Sequence, residues 1–254
     1  MNLLEISKFL SLASGITTIG LLLAIAFFLN DVEGKLGERA KALRNITAIA
    51  ALTWAIATGI SIVATLANIL GTDLSGAFDP TSLRSFISQI TLGKYMFAQL
   101  CLALLVALVA IRIRGVAGAN ALLLLSLAAI IAPVFESHAA SGGSHSLVIG
   151  SLVIHVIALA LWVGGVIALG TLSAEDRPVA VPRFSQMALW SAIAVVASGT
   201  VNAWARLNFV DAWNSSYAFV VLGKIVATVI LLWIGYLHRK TLSNKDTINW
   251  VGFA

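Results

Sequence analysis

Several long stretches of this chain carry almost no ionisable side chains, and they restrict the fold more than any other feature of the sequence. The clearest stretches cover residues 11–30, 46–70, 119–135 and 147–172. Each is close to or above the length of about 20 residues that a helix needs to cross roughly 30 Å of hydrocarbon. Only 11% of the chain is charged, against about 25% in a typical soluble domain. Because the stretches recur along the chain, a signal peptide alone does not explain them. The sequence therefore predicts an integral membrane protein.

The hydrophobic pattern predicts an all-α fold, a polytopic transmembrane helix bundle of seven to eight spans. The seven clear spans cover residues 7–30, 46–70, 94–113, 119–136, 146–172, 184–206 and 217–237. Residues 1–242 form one transmembrane domain in this interpretation. The tail, residues 243–254, regains apolar character at Trp250 and is a possible start of a further span. Either a further span has then been lost, or the chain is the front part of a longer protein.

The basic residues are concentrated in segments that fall on one side of the membrane if the seven spans alternate. Four such groups hold 11 of the 16 Lys and Arg residues, namely Lys35, Arg39, Lys41 and Arg44, then Arg112 and Arg114, then Arg177 and Arg183, and finally Arg239, Lys240 and Lys245. The positive-inside rule assigns this side to the cytoplasm and predicts an amino terminus outside. The net charge of +5 therefore records topology and does not indicate nucleic-acid binding. On the outer side, residues 83–92 are expected to form a short interfacial helix.

Three of the four histidines, His138, His145 and His155, lie within 18 positions. Neutral imidazole is a good ligand for copper, zinc or haem iron. The Ser-Gly-Gly-Ser segment can fold His138 and His145 around one ion. His145 and His155 are about 15 Å apart along one helix, so they cannot share an ion. A buried site would instead combine His155 with His138, Glu136 or a residue of another span. The alternative is that the loop histidines are solvated and that His155 hydrogen-bonds to a neighbouring helix.

Other polar or reactive residues within the spans have both a functional and a structural interpretation. Lys224 requires a compensating carboxylate unless its side chain extends to the interface. The candidates are Glu136 and Asp211, which are expected on the same side of the membrane. Cys101 is expected to be a small core residue rather than a ligand. Trp162, which is followed closely by two glycines, indicates close packing of helices.

One segment resembles the CopD copper-resistance family. The most specific part of the resemblance is His155, Trp162 seven residues later, and the pair Gly164-Gly165. The supporting elements are Ser137-His138-Ala-Ala upstream, and Arg183-Phe184-Ser185, Ser198-Gly199 and residues 217–224 downstream. The resemblance is strongest over residues 130–240 and weak before that.

The resemblance implies a multi-pass protein of the bacterial inner membrane that handles copper. It makes His138 and His155 the natural ligands, with His145 a weaker candidate because its loop varies. Some members of the family are fused to a domain related to an oxidase assembly factor, which agrees with a tail that begins a further span. Two methionines follow the initiator, too few for the thioether ligands common in copper(I) carriers.

The leading hypothesis is a copper-homeostasis protein that binds copper from the external side and moves it inward or hands it to an oxidase. Its expected partners are membrane lipid, the copper ion, and a respiratory oxidase or periplasmic copper carrier; no enzymatic activity is expected. One alternative is a haem-binding electron carrier, because histidines on facing helices can ligate haem. Another is an accessory subunit of a respiratory complex without a ligand.

Overall fold

A computed structural model describes residues 2–29, 35–136, 145–206 and 216–251. This part of the chain consists of helices and the short segments that connect them, with one isolated bridge between Lys35 and Gly115. The nine α-helices described are α1 (Leu3–Leu23), α2 (Glu38–Leu70), α3 (Leu74–Ala77), α4 (Pro80–Gln89), α5 (Thr91–Ala110), α6 (Val116–Ile131), α7 (His145–Thr171), α8 (Arg177–Arg206) and α9 (Ser216–Val251). A π-helical turn, Ala24–Phe28, extends α1, and a 3₁₀ turn, Ala132–Phe135, extends α6.

Seven of these helices are long and apolar enough to cross a membrane, namely α1, α2 and α5 to α9. The prediction of an all-α polytopic bundle is thereby confirmed. All seven begin before their predicted starts, and the difference is largest for α2, at Glu38 rather than 46, and for α8, at Arg177 rather than 184. The reason is that a helix need not end where its apolar segment ends, since charged side chains are readily solvated beyond the hydrocarbon.

The chain forms two compact units, residues 1–195 and 196–254. In the first unit α1 lies at the centre, where it contacts α2, α6 and α7, while α5 packs against α2 and α6. Small residues on α1 permit this close packing. A Cβ atom on Gly15 would lie 2.9 Å from Cε2 of Trp54, whose side chain is fully buried on α2. Ser11 of α1 and Thr58 of α2 share a buried hydrogen bond of 2.8 Å.

The segment between α2 and α5 folds into two short capped helices. The Asp73 carboxylate accepts a hydrogen bond from the backbone N–H of Gly76, and the Asp79 carboxylate accepts one from that of Ser82. These bonds hold the pKa of both aspartates below the usual value, because they favour the charged carboxylate. The short helix expected at residues 83–92 therefore exists as α4, displaced towards the amino terminus because Asp79 and Pro80 start it.

Basic segments meet at one end of the first unit. Leu36 donates a backbone hydrogen bond to the carbonyl of Arg114. Two arginines donate to carbonyls at the carboxyl ends of neighbouring helices, Arg39 to Thr171 and Arg183 to Phe27 at 2.8 Å, and Arg44 donates to Ile113, just after α5, at 3.1 Å. Such carbonyls carry partial negative charge, which cations offset. The structure thus brings three of the four basic groups to the same end of the bundle. That this end faces the cytoplasm stays a prediction.

The second unit contains the end of α8 and helix α9. Residues 218–237 of α9 form its apolar, membrane-crossing part. Trp233 and Tyr236 stack one turn apart, with ring centroids 5.9 Å from each other. The backbone of residues 243–251 continues α9 without a break. A further span beginning in this tail stays a prediction.

Candidate functional site

Helix α7 carries His155, and a pair of adjacent glycines fixes the position of this helix. A Cβ atom on Gly164 would lie 3.1 Å from the backbone N of Gly20 on α1. A Cβ atom on Gly165 would lie 2.6 Å from Cε2 of Phe184 and 2.7 Å from Cε of Met187, both on α8. The lack of a side chain at Gly164 therefore lets α1 pack closely against α7, and the lack of one at Gly165 does the same for α8. The interpretation of the glycine pair as a close-packing element is confirmed.

The glycine contacts also define which side of α7 carries His155. At about 100° per residue, His155 lies about 180° around the helix from Gly164, opposite the contact with α1. Trp162 lies within about 20° of His155, and Gly165 lies about 80° from it. Both His155 and Trp162 are half-buried. The family motif thus separates into a packing side at Gly164 and another side that presents an imidazole and an indole.

The structure describes only some of the residues that are predicted to bind a metal ion together with His155. Glu136 is half-buried and directly follows the 3₁₀ turn. That turn packs against α5, where the rings of Phe135 and Tyr95 have centroids 6.0 Å apart. His145 begins α7, so it lies on the same helix as His155, ten residues away. The predicted ligand His138 and the side chain of His145 lie outside the described residues.

No group of three or more His, Cys, Asp and Glu side chains suited to a metal ion occurs among the residues that the structure describes. His155 therefore stays a predicted ligand, together with His138, His145 and Glu136.

Two other residues singled out in the sequence lie on exposed surfaces. Lys224 is exposed on α9, and Asp211, one of its two predicted carboxylate partners, lies outside the described residues. Cys101 is exposed on α5 as a free thiol. The expectation that Cys101 is a core residue is wrong, because Met96, Gln99 and Ala103 form the buried side of α5 instead.

Sequence reasoning missed a row of buried polar residues on α2. Trp54, Thr58, Ser61 and Thr65 are all buried. Their spacing of four, three and four residues, the period of a helix face, was the available signal. Hydroxyl groups in apolar spans indicate function less strongly than histidine does, because they often bond to their own backbone.

Comparison with known proteins places both ends of the chain in one family. The family described as "Copper resistance protein D-like, N-terminal domain" matches residues 2–147, and "Copper resistance protein D" matches residues 178–246. The similarity expected to be weak before residue 130 therefore begins at residue 2. The segment from His155 to Gly165 falls between the two matched ranges.

A curated relative is the "Copper transport protein CutJ" of Bacillus subtilis (strain 168), which is 28% identical over 240 residues. The alignment covers 87% of this chain and 44% of the relative, so the chain spans less than half the length of that protein. No solved structure matches the chain.

Proposed function

The chain belongs to the copper resistance protein D family, and from this premise we propose that it binds copper from the external side of a bacterial inner membrane and moves it inward. The observation that carries the proposal is the family match, which covers residues 2–147 and 178–246. Copper is the cargo in this proposal, and no catalytic step is required. A role in copper homeostasis follows from the family, whereas the direction of movement is our inference.

The proposed entry site is built around His155, with His138 as its first partner and Glu136 or His145 as further ligands. His155 lies on the side of α7 opposite α1, next to Trp162, and is half-buried within a membrane-spanning helix. An imidazole inside a span must find a hydrogen-bond or metal partner, since lipid offers none. Because the chain has few methionines, the ligands for copper would be imidazole and carboxylate groups.

Two features support entry from outside. The predicted topology places residues 137–144 at the external ends of α6 and α7. The basic end of the bundle, where three arginines bond to backbone carbonyls, would face the cytoplasm under the positive-inside rule. Copper bound near His155 would then pass inward between spans, or be handed to a respiratory oxidase. A periplasmic copper carrier is the proposed donor.

Copper binding tests the site. Purified protein is dialysed to equilibrium against copper(I) with a reductant, and bound copper is measured by elemental analysis in wild type, His155→Ala and His138→Ala. We expect each substitution to weaken copper binding at least tenfold. The control is His238→Ala, because this histidine adjoins Arg239 and Lys240 and belongs to no proposed site. Copper binding that is unchanged in both His155→Ala and His138→Ala would refute the site.

Two further measurements separate the site from the transport activity. Size-exclusion profiles of the variants show whether a loss of copper reflects misfolding, and His155→Gln keeps a polar side chain in the same span as a second variant. Proteoliposomes that enclose a copper(I)-sensitive dye report movement directly. Copper binding without dye response would favour storage or delivery over inward transport, and a haem absorption spectrum of the purified protein would favour the electron-carrier alternative.

A further inference from the structure

The interface between α1 and α2 contains polar groups in a fixed register. The hydroxyls of Ser11 and Thr58 lie 2.8 Å apart, and Thr58 also donates to the carbonyl of Trp54 at 2.9 Å. Since the proton of Thr58 is used in that second bond, Ser11 is the donor to Thr58. One turn further along, Gly15 makes room for the indole of Trp54. These two contacts place the polar face of α2 against α1.

The same face of α2 continues with two more hydroxyls. Ser61 and Thr65 lie within about 60° of Thr58 around the helix. They are almost completely buried, with exposed fractions of 2% and 5%. Ser7 precedes Ser11 by one turn on α1 and is also buried, at 1% exposure. Polar side chains from two helices thus follow one line, about 16 Å long from Thr65 to Trp54.

Three polar atoms on this line have no hydrogen-bond partner within the part of the chain that the structure describes: Oγ of Ser61, Oγ1 of Thr65 and Nε1 of Trp54. Other buried hydroxyls behave differently. Those of Thr47 and Ser126 each donate to the carbonyl four residues earlier, at 2.8 Å. Leaving a buried donor without a partner is costly, and more so where no solvent can reach it. These atoms therefore need a partner from outside the described chain.

We propose that the α1–α2 interface binds a row of internal water molecules along Thr65, Ser61 and Trp54. Water can accept from the indole N–H, which only donates, and can both donate to and accept from the two hydroxyls. Buried water typically occupies such places and makes about three hydrogen bonds. Water is also the smallest partner that can reach side chains so nearly buried. The row is independent of the copper site proposed on α7.

X-ray radiolytic labelling of the intact protein in detergent tests the proposal, because radicals formed from a bound water oxidise the nearest side chains. Trp54 and Phe86 both have exposed fractions of 0%, but Phe86 lies in an apolar cluster with Ile62 and Met96. After correction for intrinsic reactivity, we expect Trp54 to be oxidised at least tenfold faster than Phe86. Equal rates would overturn the proposal.

The double variant Ser61→Ala/Thr65→Val tests whether these hydroxyls hold the water. We expect oxidation of Trp54 to fall severalfold, because water loses its partners. An unchanged rate of oxidation would show that the hydroxyls hold no water. If the variant does not fold, the comparison of Trp54 with Phe86 in the wild type still decides the matter.

Discussion

The contact between α1 and α7 is tested most sharply by Gly20→Ala. A Cβ atom on Gly20 would collide with the backbone carbonyl of Gly164. A backbone carbonyl within a helix cannot rotate away, so one helix must move. Because α7 carries His155, the substitution also probes how the proposed copper site is held in place.

The expected effect is the difference between two opposing contributions. Glycine to alanine within a helix is favourable by about 0.5–1 kcal/mol. Forcing a methyl group into a fully packed contact costs about 1–3 kcal/mol. The net loss for Gly20→Ala is therefore about 1 kcal/mol and at most about 2.5 kcal/mol. For a chain of this size each kcal/mol shifts the melting temperature by about 2–4 °C, so a decrease of about 2–4 °C, and at most about 10 °C, is expected.

Gly59→Ala is the matched control, since a Cβ atom on Gly59 of α2 would meet nothing within 4 Å. This variant gains the helix contribution without the collision, so its melting temperature should equal or exceed that of the wild type. The measurement is thermal unfolding in detergent, followed by circular dichroism. If Gly20→Ala melts at or above the temperature of Gly59→Ala, the close backbone contact between α1 and α7 is wrong.

Three further perturbations follow from individual contacts. A double-mutant cycle with Ser11→Ala and Thr58→Val should give a coupling energy of about 0.6 kcal/mol in unfolding experiments, typical of hydrogen bonds between membrane helices; zero coupling would contradict the bond. Arg183→Gln should lower the stability by up to about 1 kcal/mol, because the cation at the carbonyl of Phe27 is lost, whereas salt should reduce this difference. The lowered pKa of Asp79 means that its cap is present above the unfolded pKa near 4 and is lost as the pH falls through the lower folded pKa. The protection of the α4 amides from hydrogen exchange, measured against their intrinsic exchange rates, should therefore fall at acidic pH in the wild type, and an identical acid step in Asp79→Asn would exclude the carboxylate as its cause.

The number of spans was predictable because the bilayer imposes its requirement on each segment separately. A crossing helix needs about 20 apolar residues whatever its neighbours are. Helix ends were less predictable, as α2 and α8 show, since their first turns contain charged residues that the apolar pattern excludes. Cys101 was misplaced for a related reason, because an evenly apolar helix such as α5 gives little indication of which side is buried.

The candidate site was predictable in part. The glycine pair at residues 164 and 165 indicated close packing, and the structure assigns one glycine to α1 and the other to α8. The histidines indicated metal chemistry, but imidazole type and spacing do not define a ligand set. The predicted partner His138 lies outside the described residues, so the ligand set around His155 stays a prediction.

By itself, the sequence determined that this protein is a polytopic helix bundle, with seven membrane-spanning helices in the part that the structure describes, because the apolar character of a span is a property of consecutive residues. Only the tertiary structure decided which small and polar residues meet. Ser11 bonds to Thr58 across 47 positions, and Gly20 contacts Gly164 on a different helix. Periodicity can show that such residues share one face of a helix, but not which helix covers that face. Partners of this kind depend on how the helices pack, since lipid leaves each polar group to be satisfied from within the bundle.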